Sequence, residues 1–309
     1  MDYNLFIYGN ANEDQNLDQA DIDLLEQIIA GKATPSELSD ANQDGTIDQA
    51  DIDQVKAIMD TTASTIFVRD AFGKPVMINT PVQRIVSLDQ MITENAQVLG
   101  IGDLIVGVDK KSADRSVVHP KISRKAVNVG SSEEPDIEQI VALKPGLVAG
   151  IQFFDEELIK KLKAVNLTPL AMIFHGDIQN SLGYSKMLGY LTGSPKSGNE
   201  YIDWMTGILD NIHETINQMP REKWTKVIYL YPKKNGGLGS GGKNCPTIRA
   251  LEYLGANTMT NDTRDVKGAV MDSASYFEID PEVVLKKNPE VIVVEDFDEA
   301  LGYGFKDPK

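Results

Sequence analysis

Oxygen-bearing side chains recur twice at one spacing near the start of this 309-residue chain. In NANEDQNLDQADID (10–23) they are Asn10, Asn12, Asp14, Asp18 and Asp21. In DANQDGTIDQADID (40–53) they are Asp40, Asn42, Asp44, Asp48 and Asp51. The segments are offset by 30 residues, and nine of their fourteen positions are identical. These side chains fall at positions 1, 3, 5, 9 and 12 of a loop whose position 7, Asn16 or Thr46, offers a backbone carbonyl. Alternate oxygens then turn toward one centre, which is what a hard cation such as calcium needs, so two calcium ions are expected. Gly45 supplies the sharp bend at position 6 of the second loop. Gln15 stands there in the first, which is expected to strain or loosen it. The second loop carries four carboxylates and the first three, so the second is expected to bind calcium more tightly.

Each loop runs into a helical pattern: Ile22, Leu25, Ile28 and Ile29, stopped by Gly31, and then Ile52, Val55, Ile58 and Met59. Most of the net charge of −16 sits here, because residues 1–60 hold 14 acids against two lysines. The rest is near balance, with 32 acids and 28 bases. A chain without a basic stripe is not built for nucleic acid. Cys245 is the single cysteine, so no intrachain disulfide can form. No apolar run reaches the roughly 18 residues that span a bilayer. The N-terminus lacks the basic and apolar regions of a secretory leader.

Two loop–helix units without a separate entering helix resemble the dockerin family, whose loops are similar to those of EF-hands. The resemblance covers about 50 residues and implies a small all-α calcium module over residues 1–62. It also implies a cohesin-like partner, contacted through loop positions 10 and 11, which are Gln19, Ala20, Gln49 and Ala50. A module this small has little core, so bound metal is expected to supply much of its stability. The stretch TTAST (61–65) reads as a linker.

Beyond it, strand and helix patterns alternate: RIVSL (84–88), MITENAQVLGIG (91–102), LIVGV (104–108), PDIEQIVALKP (135–145), LVAGI (147–151), EELIKKLKAV (156–165) and PLAMIF (169–174). Such alternation argues an α/β domain with a mostly parallel sheet. A helix over about 199–219 follows, and then TKVIYLYP (225–232), PTIRALEYLG (246–255), PEVVLKK (281–287) and PEVIVVED (289–296) restart the pattern. The expected fold class is α/β with two lobes joined by one long helix. The lobes are placed at 63–180 and 221–309, with connecting helices at 181–220.

RIVSL, VLGIGDLIVGVD, VGSSEEPDIEQIVALKPGLVAG, GSGGKNCPTIRALEYLGA and IDPEVVLKKNPEVIVVED occur in the order seen in the helical-backbone solute-binding proteins. These are the cobalamin-, haem- and ferric-siderophore-binding components of ABC importers, and the resemblance covers about residues 66–296. It implies an extracytoplasmic binder of a metal chelate, not an enzyme. It further implies a permease partner contacted by one glutamate per lobe, Glu138 in PDIEQI and Glu282 in DPEVVL. The family pattern ordinarily runs on past VIVVED, so the expectation is either a trimmed second lobe or a sequence that is a fragment.

Ligands of two-lobed α/β proteins sit beyond the carboxyl ends of the strands. That nominates Asp89, Gln90 and Met91, then Gln152, Phe153, Phe154 and His175, and from the second lobe Tyr231, Ser240, Lys243 and Arg249. Phe153 and Phe154 could stack on a macrocycle, although one of two adjacent Phe should face the core, and His175 could ligate a metal centre. Two rival classes stay open. One is a cell-surface scaffold whose calcium loops are the working part. The other is a nucleotide-binding enzyme, because GLGSGGKN (237–244) nearly fits a phosphate loop but has Asn244 where a hydroxyl would hold magnesium.

Overall fold

The computed structural model describes residues 3–114, 120–150, 154–172, 178–233, 236–243, 245–259 and 276–295. The acidic loops lead directly into α1 (Gln19–Ile29) and α2 (Gln49–Met59). Asp18 and Asp48 cap these helices by accepting the amides of Ala20 and Ala50, while Asp21 and Asp51 reach back to the cap backbone. This reciprocal capping box satisfies amides that a helix start leaves open. Each helix buries one stripe, Ile22 and Leu25 in α1 and Ile52, Val55 and Ile58 in α2. Ile29 lies off the α1 stripe and is exposed.

The loop–helix pair is not a separate module on a tether. Thr62 donates its amide to Ala57, and Thr65 opens β1 (Thr65–Arg69), which pairs antiparallel with β2 (Pro75–Asn79). The segment before the first loop lies along β1, where Ile7 bridges Val68, the Tyr8 amide donates to Phe67 and the Arg69 amide to Phe6. Leu5, Ile7, Leu25, Val55 and Ile58 share one apolar cluster with Val68, Ile78, Tyr184 and Met187. TTAST is therefore structured chain, held by the amides of Thr62 and Ala63 on the Ala57 carbonyl and by the pairing of Thr65 with Asn79.

The first α/β sheet has five parallel strands in the order β5-β4-β3-β6-β7. Along the chain they run β3 (Ile85–Ser87), α3 (Gln90–Val98), β4 (Ile105–Val108), α4 (Lys110–Asp114), α5 (Pro120–Ser123), β5 (Val127–Asn128), α6 (Ile137–Ala142), β6 (Leu147–Gly150), α7 (Glu156–Ala164) and β7 (Pro169–Ala171). β3, β6 and β7 are buried throughout, as expected for parallel strands covered on both faces.

Helix α8 (Ile178–Leu191) follows, and then α9 (Pro195–Asn217), whose 23 residues extend about 35 Å. The second sheet contains β8 (Lys226–Pro232), β9 (Leu238–Gly241), β10 (Asn257–Thr258), β11 (Tyr276–Ile279) and β12 (Val291–Val294), with α10 (Pro246–Tyr253) and α11 (Pro281–Lys287) between strands. β10 and β12 pair parallel with β8, and β9 pairs antiparallel with both β8 and β11. The described residues form two compact units, those of 1–174 with 179–205, and those of 206–309 with Ile178. The division falls inside α9, while most of α8 belongs to the first unit. No described helix is long and apolar enough to cross a membrane.

Candidate functional site

Two sets of residues could hold a ligand, and the acidic loops are the better defined. Asn10 is fully buried, and its Nδ2 donates to the carbonyls of Leu5 (2.9 Å) and Asp14 (2.8 Å). Its Oδ1 is buried with no partner. In the second loop Asp40 Oδ2 accepts the Gly45 amide at 2.9 Å, and Oδ1 is likewise buried with no partner. Each orphan oxygen belongs to position 1 of its loop. A buried unpaired acceptor costs on the order of 1–3 kcal/mol, which a hard cation would relieve.

The remaining loop oxygens are tied down alike in both copies. Asn12 and Asn42 accept the amides of Asp14 and Asp44, which accept those of Asn16 and Thr46. Asp21 and Asp51 are fully buried, and each accepts backbone amides from both ends of its loop. Burial pushes the Asp21 carboxyl up to about 6 and raises that of Asp51. Among the described residues no three His, Cys, Asp or Glu converge as a metal cluster. The donors here are instead amide, carboxylate and backbone carbonyl oxygens, the set that suits calcium rather than a transition metal. Gln15 is not strained, since its backbone lies outside the left-handed region that Gly45 occupies at φ +92°. Gln19, Ala20, Gln49 and Ala50 are all exposed in the first turns of α1 and α2.

The second set lies at the carboxyl ends of the parallel strands. Asp89 follows β3, caps α3 by accepting the Met91 amide at 2.7 Å, and is half-buried with Gln90 and Met91. Burial pushes its carboxyl up to about 6, opposed by the bond from the Met91 amide and assisted by the negative charge of Asp109. Asp109 follows β4, is 1% exposed, and accepts the Lys111 and Ser112 amides. Ser87, Thr93 and Ser112 link the two strand ends through their hydroxyls. Sequence position alone nominates Asp89 but misses Ser87, Thr93, Asp109 and Ser112. A polar residue ending an apolar strand, as in IVGVD, is the signal that could have found Asp109.

Other nominations fare differently. Phe154 is a core residue, 2% exposed and clustered with Val86, Leu88, Val148 and Leu158, and is not placed to receive a ligand. Ser240 is fully buried in β9 and donates to the Tyr229 carbonyl at 2.6 Å, a sheet role rather than a ligand contact. Tyr231 is half-buried with its ring edge-on to Tyr276. Lys243 and Arg249 are exposed, the first in the turn before α10 and the second on it. Gln152, Phe153 and His175 lie outside the described residues. Glu138 and Glu282 are exposed in the first turns of α6 and α11, each two residues after a capping aspartate. Leu238–Gly241 of the phosphate-loop-like segment form β9, whose amides serve the sheet and cannot cradle a phosphate.

Residues 85–303 match the model of the periplasmic binding protein family, and the chain belongs to that family. It is 25% identical over 239 residues to the uncharacterized ABC transporter substrate-binding lipoprotein YvrC of Bacillus subtilis, covering 76% of this chain and 71% of that one. It is 22% identical to a cobalamin-binding protein of Halobacterium salinarum, covering 72% of this chain and 57% of the other. Among solved structures, the petrobactin-binding protein YclQ of Bacillus subtilis aligns with a TM-score of 0.64 at 15% identity, over 78% of this chain and 80% of that one, which speaks to the fold alone.

Proposed function

We propose that this protein captures a metal chelate of the corrinoid, haem or ferric-siderophore class outside the cell membrane and hands it to an ABC permease. The family match over residues 85–303 carries this reading. Two α/β units sharing α9 agree with it, as does the polar set Asp89, Ser87 and Asp109 at strand ends, where such folds take ligands. Exposed Glu138 and Glu282 would present one carboxylate from each unit to the permease. The relatives described above are named for binding and transport, so no catalytic step is assigned. Titrating the protein with cyanocobalamin, haemin and a ferric catecholate, followed by absorbance and tryptophan quenching, tests the reading. Saturable binding of one of them at micromolar or lower concentration supports it, and no binding of any sinks it.

We further propose that the two acidic loops each take one calcium ion. The orphan oxygens of Asn10 and Asp40 carry this reading. Calorimetric titration with calcium chloride is expected to show two sites, and the absence of any calcium heat would remove the proposal. A cohesin-like partner docked on Gln19, Ala20, Gln49 and Ala50 is the dockerin-like extension of it, favoured by the exposure of all four. A native-gel shift with recombinant cohesin domains, abolished by chelator, is the expected result; no shift with intact calcium sites leaves the loops a structural staple.

A further inference from the structure

The first loop already holds a cation supplied by the chain. Lys186 sits in α8 and is 4% exposed. Its Nζ donates to the Gln15 carbonyl at 2.7 Å and to Asn16 Oδ1 at 2.8 Å, with the Tyr3 hydroxyl 3.4 Å away and the Tyr3 ring centroid at 5.8 Å. Gln15 and Asn16 are positions 6 and 7 of the first loop. Their counterparts in the second are Gly45 and Thr46, both exposed, where the Gly45 amide turns inward to Asp40. Among the differences between the two copies, this one coincides with the loop that lacks glycine at its bend. A carbonyl turned outward to an ammonium leaves position 6 no need for a left-handed backbone, which is why Gln15 is accepted there.

We infer that Lys186, bonded to the first loop at oxygens other than those nominated for calcium, makes that loop the weaker of the two calcium sites and ties its metal state to helix α8. The inference rests on the calcium reading above. A buried ammonium bonded to two loop oxygens offsets part of the negative charge of Asp14 and Asp18, with Asp203 of α9 acting on it as well, and it repels a second cation brought to the same loop. The second loop has more carboxylates and keeps Gly45 and Thr46 in solvent. Because Lys186 lies one residue from Met187 and two from Tyr184, both in the apolar cluster that holds the loops, a cation entering the first loop acts against a helix of the solute-binding unit.

The test uses the full chain with the second loop disabled by Asp40→Ala and Asp44→Ala, and reads calcium affinity by calorimetry and folding by circular dichroism. In that background Lys186→Gln and Lys186→Met are expected to bind calcium about tenfold more tightly than the parent, from removal of one nearby positive charge. Lys186→Arg keeps the charge and is expected to match the parent. Unchanged or weaker affinity in the folded Gln variant overturns the inference. So does equal tightening in the Arg variant, since the effect would then not be one of charge. A chain with both loops intact that takes up no calcium at all instead overturns the calcium reading on which the inference stands.

Discussion

The ring of Phe6, in the segment that enters the first acidic loop, packs on Tyr184 of α8 with centroids 4.7 Å apart and planes tilted by 32°. Arg69 of β1 lies over the Phe6 ring as well, 5.4 Å from its centroid. One side chain therefore joins the acidic loops, the β1–β2 hairpin and the helix that leads into α9. Phe6→Ala leaves a cavity at that junction and is expected to cost about 3–4 kcal/mol. Urea denaturation should show this loss in the transition of the whole first unit. A separate early transition of the loops, with the rest unmoved, would mean they fold independently.

Two glycines in helices should respond oppositely to alanine. Gly207, in α9, has nothing within 4 Å of where a Cβ would stand, so Gly207→Ala is expected to stabilise by about 0.5–1 kcal/mol, the ordinary helix preference. Gly183, in α8, has the backbone carbonyl oxygen of Asn4 at 2.2 Å from that point and the Phe6 ring at 3.1 Å. Gly183→Ala must push the N-terminal segment off α8 and is expected to destabilise despite the better helix former. Thermal unfolding of the two variants checks the sign, and stabilisation by both would deny the close approach of Asn4 to α8.

That close approach marks the limit of what the sequence discloses. Loop oxygens at fixed offsets and alternating strand and helix runs are local patterns, so the duplicated loops, both α/β units and the long α9 were all legible. Packing between segments distant in the chain has no local signature. TTAST looks like a linker because its composition suits one, yet Thr65 pairs with Asn79 and the loops share a core with α8. Of the FF pair, the pattern does not say which ring is buried, and the fold shows Phe154 in the core. Nothing local in LGYSKMLGYL singles out Lys186, and only the fold shows it buried against Gln15 and Asn16.

Calcium should stabilise the solute-binding unit itself, since the loops lie in its core cluster. At a hundredfold excess over its dissociation constant, one ion contributes about 2.7 kcal/mol through linkage. Adding chelator is expected to lower the thermal midpoint of the first unit by several degrees. Asp51→Asn removes a buried position-12 carboxylate and should erase most of that difference, and Asp21→Asn a smaller part. A midpoint indifferent to calcium and chelator alike would count against both sites.

Asp89 gives a pH dependence whose sign follows from its burial. Its carboxyl rises from 3.8 to about 6 on folding, chiefly because burial disfavours the charged form. Below the lower value it is protonated folded and unfolded, and its contribution is intact. As pH rises toward 6 the unfolded chain ionises first, so stability is progressively lost, and above 6 the deficit is constant. A rise of that size corresponds to roughly 3 kcal/mol, which partial exposure to solvent reduces to about 1–2 kcal/mol. Asp89→Asn keeps a capping oxygen for the Met91 amide but cannot ionise. The variant should therefore match the parent near pH 4 and exceed it by that amount at pH 7, as read from urea denaturation at both pH values. A parent more stable than the variant at pH 7 would mean that Asp89 gains more from the α3 amides than it loses to burial.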